Sequence, residues 1–197
     1  MDKNIYILAI ETSCDETSVS ILKNTKVLSN IISSQKIHSL FGGVVPELAS
    51  REHEKLIIPV VEKALLDSKI PLQKISAIAY TRGPGLMGAL LVGTSFAKSL
   101  SLSLDIPLVE VNHMHAHILS VFIDDNEKKP EFPFLALTVS GGHTQLVLVK
   151  NYLEFVQIGT TLDDAAGEAF DKCGKLLGLD YPSGPKIDFL SKSGNEN

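Results

Sequence analysis

Ile5-Tyr6-Ile7-Leu8-Ala9-Ile10-Glu11-Thr12-Ser13-Cys14-Asp15-Glu16-Thr17-Ser18-Val19-Ser20-Ile21-Leu22 holds a short apolar run, a break of hydroxyls and carboxylates, and then an alternating run. The unbroken apolar run predicts a strand buried on both faces, and the alternation predicts a second strand paired to it in a hairpin. Lys26-Val27-Leu28-Ser29-Asn30-Ile31-Ile32-Ser33 supplies a third strand and completes a meander. Small polar side chains and backbone N–H groups in the hairpin turn can hold a phosphate or a phosphate-bound cation. The competing reading is a solvated turn in which Asp and Ser bond their own backbone.

The same order returns later. Phe134-Leu135-Ala136-Leu137-Thr138-Val139 reads as a strand, Ser140-Gly141-Gly142-His143 as a polar turn, and Thr144-Gln145-Leu146-Val147-Leu148-Val149 as a strand with its hydroxyl just after the turn. Tyr152 to Ile158 gives a third strand, and a helix follows from about Ala165 to Leu177. An internal repeat of this kind is an architectural signal. It predicts an α/β protein of duplicated ribonuclease-H-like lobes, each offering its first hairpin turn to a shared cleft, as in the actin, sugar kinase and Hsp70 superfamily. The charged, proline-ended stretch Asp124 to Pro130 is the expected boundary, giving a first lobe over 1–125 and a second over 130–197. The second copy reaches only its first long helix before a polar tail from Ser191 to Asn197, so the second lobe is expected to be incomplete.

After the first meander, Phe41-Gly42-Gly43-Val44-Val45-Pro46-Glu47-Leu48 opens as a glycine loop and enters a helix with Pro46 in its first turn. Leu48, Ile57, Val60, Val61, Ala64 and Leu65 form its apolar side. Arg51 to Lys55 read as a solvated face, from which Glu47 and His53 could reach a ligand. A strand, Ile75 to Thr81, runs into Arg82-Gly83-Pro84-Gly85-Leu86-Met87-Gly88, a tight turn into a helix whose amides suit an anion. Gly85, Gly88, Ala89, Gly93 and Ala97 recur at near-helical spacing, a smooth stripe for close packing against another helix of this chain or of a partner.

Three of the six histidines fall in Val111-Asn112-His113-Met114-His115-Ala116-His117. On a helix, His113 and His117 share a face and can reach one metal ion, while His115 points away. Leu108-Val109-Glu110-Val111 reads as a strand, so the pair sits at a strand-to-helix handover, where α/β sheets place ligands. Ordinary surface or core histidines are the alternative. A catalytic zinc or iron centre takes three protein ligands, so a third must come from elsewhere. Met114 stands where a zinc peptidase needs its glutamate base, which disfavours that chemistry.

A chain of 197 residues, 44% hydrophobic, can bury a substantial core. A net charge of −5 argues against gripping nucleic acid unaided, since a polyanion repels an acidic surface unless positive charge is gathered on one face. The two cysteines, Cys14 and Cys173, have no metal-ligand spacing and suit a reduced compartment. The start lacks a leader's hydrophobic region, and no apolar run is expected to approach a membrane span, so a cytoplasmic protein without a membrane partner is expected.

Ile10 to Thr17, Gly42-Gly43-Val44-Val45-Pro46-Glu47, Gly83-Pro84-Gly85-Leu86, the His113/His117 pair, Ser140-Gly141-Gly142-His143-Thr144 and Asp163-Asp164-Ala165-Ala166-Gly167-Glu168-Ala169-Phe170-Asp171-Lys172 occur in this order along nearly the whole chain. Together they resemble the TsaD family of tRNA adenosine threonylcarbamoyltransferases, formerly called sialoglycoprotein endopeptidases. TsaB, a non-catalytic bacterial paralogue, shares the fold and the Gly-Pro-Gly turn but lacks the histidine pair and the long Asp-Asp-Ala-Ala-Gly-Glu block. The resemblance implies transfer of a threonylcarbamoyl group from threonylcarbamoyl-adenylate to the exocyclic amine of the adenosine 3′ of the anticodon, in tRNAs reading codons that begin with A. It implies one divalent metal ion per chain, iron (Fe2+) or zinc, on His113 and His117, with an aspartate as third ligand near the family's C-terminal end. It further implies that Thr138, Val139, Ser140, Gly141, Gly142, Asp171, Gly184 and Asp188 hold the adenylate. TsaB and the ATPase TsaE are the implied partners, with TsaC-type enzymes making the adenylate. The donor is an activated mixed anhydride, so no covalent nucleophile is required, and Cys14 and Ser140 read as loop residues. The family's chain is longer, so this one is expected to be truncated, lacking the aspartate ligand and an asparagine of the substrate site. The other reading is a non-catalytic fragment or a TsaB-like scaffolding subunit.

Overall fold

The computed structural model describes residues 4–123 and 128–195. The first three residues, the last two, and 124–127 of the charged stretch expected as a boundary lie outside the described residues. The chain divides into two compact units, Met1–Lys36 with Val44–Ala116, and Ile37–Gly43 with His117–Asn197.

The first unit is built on the expected meander: β1 (Tyr6–Glu11), β2 (Glu16–Lys23) and β3 (Lys26–Ser34), continued by β4 (Ala77–Gly83) and β5 (Leu108–Asn112). The five-stranded sheet has the order β3-β2-β1-β4-β5. β1 runs antiparallel to β2 and parallel to β4, and β4 runs parallel to β5. Leu8, Ile21 and Ile78 are fully enclosed, each contributing roughly 1.5–3 kcal/mol through burial. The connections are helical, as parallel strands require. α1 (Pro46–Ser68) starts with Pro46 in its first turn, and α2 (Met87–Leu104) follows the Gly-Pro-Gly turn. The buried side of α1 is Ala49, His53, Ile57, Val60, Val61 and Ala64. His53 therefore belongs to the core stripe and not to the solvated face on which the sequence reading put it.

The glycine stripe of α2 packs inside the chain. A Cβ on Gly88 would collide with Ser50 of α1, one on Gly93 with Thr12, and one on Gly85 would stand 2.5 Å from the Ser13 carbonyl oxygen. α2 is also apolar and long enough, by composition, to cross a membrane, contrary to the expectation that no run approaches that length. One face of the helix, Ala89, Leu90, Gly93 and Ala97, is buried in the lobe, while Met87, Leu91 and Leu102 are exposed.

The second unit repeats the meander as β6 (Phe134–Val139), β7 (Thr144–Asn151) and β8 (Glu154–Thr160), a three-stranded antiparallel sheet in the order β6-β7-β8. One face buries Val147 and Val149 with Ile118, Phe132, Phe134, Ala136 and Phe155. Phe122, Phe132, Phe134 and Tyr152 extend it as an aromatic cluster with ring centroids 4.7–6.1 Å apart. On the other face Leu135, Leu137 and Val139 are exposed, and the outer edge of β6 has no partner strand among the described residues. In the first unit the corresponding strand, β1, pairs there with β4. An α/β protein with a duplicated meander and an unfinished second sheet thus matches the sequence reading. The sequence reading missed α5 (Gly184–Ser191), which follows the expected helix, α4 (Ala166–Leu176). Gly174 lets Ser183, at the start of α5, approach α4 closely.

Candidate functional site

Parallel pairing brings the C-terminal ends of β1, β4 and β5 side by side, the edge at which open α/β sheets collect ligands. Glu11 ends β1, Thr81 lies in β4, and His113 opens α3 (His113–Leu119) directly after β5. Their side chains meet. Glu11 Oε2 accepts from the Thr81 hydroxyl at 2.6 Å and from His113 Nδ1 at 3.0 Å, while Oε1 accepts from the Ser13 amide. The Ser13 hydroxyl lies 3.3 Å from the same His113 nitrogen. Asn112 caps α3, its Oδ1 accepting from the amides of Met114 at 2.9 Å and His115 at 3.1 Å, which sets the helix phase.

Burial alone would raise the Glu11 pKa, but the hydrogen bonds from His113, Ser13 and Thr81 outweigh it and hold the carboxyl at about 2. The folded value lies below the unfolded value of 4.5, so the ionised carboxylate stabilises the fold above that pH. This contribution is lost as pH falls through the folded value. Denaturant midpoints of the protein and of Glu11→Gln should therefore differ most above pH 4.5 and converge toward pH 2.

His113 and His117 lie one turn apart in α3. Met114 and Ile118 are the buried positions beside them; His113 is half-buried and His117 exposed. His115 is half-buried, and desolvation lowers its pKa. The fit to a metal rests on the donor set. A carboxylate that accepts from Nδ1 fixes the ring proton there and leaves Nε2 with the lone pair, the arrangement that metal-bound histidines adopt. No group of three or more His, Cys, Asp or Glu with metal-binding placement occurs among the described residues.

The first hairpin turn is buried at its two ends, while Cys14 and Glu16 between them are exposed. Thr12 and Ser13 are buried, the Thr12 hydroxyl donating to the Ala89 carbonyl at 3.0 Å and the Ser13 carbonyl accepting from the Leu86 amide at 2.8 Å. His53, fully buried, bonds Thr17 Oγ1 at 2.8 Å and the Cys14 carbonyl at 2.9 Å, fastening α1 to the turn. Only an N–H can serve the carbonyl, so Nε2 donates and Nδ1 accepts from Thr17. Partial desolvation in the turn, reinforced by Asp15, pushes the Cys14 thiol up to about 12, so no thiolate is available there at neutral pH. Glu47 is exposed and paired with Arg51 at 3.0 Å.

In the second unit the turn after β6 is closed by Ser140, whose amide donates to the His143 carbonyl at 2.9 Å and whose hydroxyl accepts from the His143 amide at 3.0 Å. Thr138 and Val139 end β6, and Gly141 and Gly142 form the exposed apex. The N-terminus of α4 rests on this turn: the Gly167 amide donates to the Ser140 carbonyl at 3.1 Å, and the Ala166 amide to the Thr144 hydroxyl at 2.9 Å. Any side chain at 167 would strike Gly141. Asp171 in α4 accepts from the Ser183 amide at 2.7 Å and so holds the start of α5, where Gly184 lies. Asp188 is exposed one turn into α5 and pairs with Lys192 at 3.2 Å.

Sequence reasoning missed Glu11 as the partner of His113, and Thr81 as a donor to Glu11. It also missed the structural role of His53, although that residue lies in phase with Ala49, Ile57, Val60 and Ala64.

Residues 26–197 match the family described as TsaD: tRNA N6-adenosine threonylcarbamoyltransferase. The protein of that name from Christiangramia forsetii is 60% identical over 195 residues, covering 98% of this chain and 57% of its own length. This chain thus spans little more than half the length of the curated relatives it matches. Among solved structures, a ROK hexokinase from Thermus thermophilus superimposes with a TM-score of 0.55 at 13% identity, over 98% of this chain and 70% of that one. YeaZ from Pseudomonas aeruginosa gives 0.53 at 16% identity, over 79% and 65%. These two likenesses concern the fold. The ordered motifs, the identity along the whole chain and the family match agree, and the chain belongs to the TsaD family of tRNA N6-adenosine threonylcarbamoyltransferases.

Proposed function

We propose that this protein carries out the family's reaction: transfer of the threonylcarbamoyl group of threonylcarbamoyl-adenylate to the exocyclic amine of the adenosine 3′ of the anticodon, in tRNAs reading codons that begin with A. The observation that supports it best is His113, held by Glu11 at the edge of a parallel sheet and one helical turn before His117. The amine nitrogen bonds to the carbamoyl carbon, the bond from that carbon to the phosphate oxygen breaks, adenylate leaves, and the amine gives up a proton. The donor is already activated, so orientation and stabilisation of developing charge carry the catalysis.

His113 and His117 would hold iron or zinc, which supplies Lewis acidity toward the donor carbonyl. The exposed amides of Gly141 and Gly142 suit the departing phosphate, since Ser140's own amide is engaged by His143. Asp171 and Asp188 suit ribose hydroxyls, with Thr138, Val139 and Gly184 shaping the adenosine pocket. Cys14 takes no part, in keeping with its raised pKa. An acidic chain needs basic surface from elsewhere to hold tRNA, and TsaB and TsaE in the cytoplasm are the partners assigned to it.

The test combines full-length metal-loaded protein with TsaB, TsaE, a TsaC-type enzyme, ATP, threonine, bicarbonate and an unmodified tRNA transcript, and analyses the nucleosides by mass spectrometry. Threonylcarbamoyladenosine is expected beside the anticodon. Its absence with well-folded protein overturns the assignment.

A further inference from the structure

We propose that Glu11 is a positioning residue for His113: it selects the imidazole tautomer that presents Nε2 as a ligand, and Thr81 and Ser13 hold the carboxylate for that task. This rests on the metal reading above but makes a separate claim about residues that reading does not use.

Glu11 receives three donors, the Ser13 amide, the Thr81 hydroxyl and His113 Nδ1. An ionised carboxylate only accepts, so the hydrogen between Glu11 and the ring belongs to the ring, and Nδ1 is the protonated nitrogen. With Nδ1 so assigned, the lone pair of the neutral imidazole stands on Nε2. The three groups come from three different strand ends. Glu11 closes β1, Thr81 lies in β4 beside it, and His113 leaves β5 in a helix whose phase is fixed by the Asn112 cap. The ring is thus fixed in tautomer and in direction before any ligand arrives. Outer-shell partners of this kind alter metal affinity by about 10–100-fold.

The readouts are the histidine side-chain nitrogen shifts of full-length, metal-free protein and its Co2+ affinity by calorimetry. The expected result is the Nδ1–H tautomer for His113 in the wild type, a mixture of tautomers in Glu11→Gln, and Co2+ binding weakened about 10–100-fold in that variant. Thr81→Val, which removes one donor to Glu11 without touching the ring, should give a smaller loss of the same kind and guards against a Glu11 variant that fails to fold. An Nε2–H tautomer in the wild type, or equal Co2+ affinity in folded Glu11→Gln, overturns the proposal while the metal reading stands. A wild type that binds no Co2+ but shows the Nδ1–H tautomer overturns the metal reading, and with it the ligand-presenting role, while upholding the tautomer assignment.

Discussion

On the proposed reading, replacement of His113 by alanine in the full-length protein should lower tRNA modification by about a thousandfold or more, since loss of a metal ligand would remove several kcal/mol of charge stabilisation and each 1.36 kcal/mol is tenfold in rate. His117→Ala should cost as much activity, yet the two variants should differ in stability. His113 is half-buried and engaged by Glu11, so its removal deprives a carboxylate of a donor, worth about 1.5–3 kcal/mol. His117 is more exposed, and its replacement should cost less stability than that of His113. His115→Ala should leave the rate nearly unchanged, because that position faces away from the pair on the helix. Single-turnover modification, bound metal by elemental analysis and thermal unfolding of the three variants separate these effects. An active His117→Ala enzyme would remove the histidine pair from the mechanism, whatever His113 did.

The contrast between the two histidines shows how far local sequence reaches. The meander, the helix opening at Pro46 and the strand-to-helix handover at Asn112 all follow from periodicity and turn chemistry within short windows, and each appears in the structure. That Glu11 serves His113 could not be read this way. The two residues are 102 positions apart and become neighbours only because β4 pairs between β1 and β5, a consequence of strand order. His53 failed for a different reason: its charged neighbours suggested a wet face, while its phase with Ala49 and Ile57 pointed inward, and the phase prevailed. α5 is hard to read locally, since Pro182 and the Ser183-Gly184-Pro185 run are compatible with a turn as well as with a helix that carries proline in its first turn.

Gly93→Val should destabilise the first unit by about 2–3 kcal/mol, the usual cost of forcing extra atoms into a packed site. Helix propensity alone predicts a small gain, since valine is a better helix former than glycine. Packing reverses the sign. A Cβ at position 93 would collide with Thr12 Oγ1 and approach its Cβ and Cγ2 at 3.3 Å. Thr12 has little freedom to yield, being 2% exposed and donating its hydroxyl to the Ala89 carbonyl at 3.0 Å. It also directly follows Glu11, so a displaced Thr12 moves the carboxylate bonded to His113 Nδ1. The substitution should therefore lower the melting temperature by about 4–12 °C for a protein of this size and also weaken metal binding, although residue 93 touches no proposed ligand. Thr12→Ala removes the obstructing hydroxyl and methyl, so the double variant Gly93→Ala, Thr12→Ala should recover most of the stability lost by Gly93→Ala alone. A coupling of about 1 kcal/mol or more in that cycle would locate the collision between these two side chains. Additive effects, or a Gly93→Val protein as stable as wild type, would mean that α2 does not approach the first hairpin turn this closely.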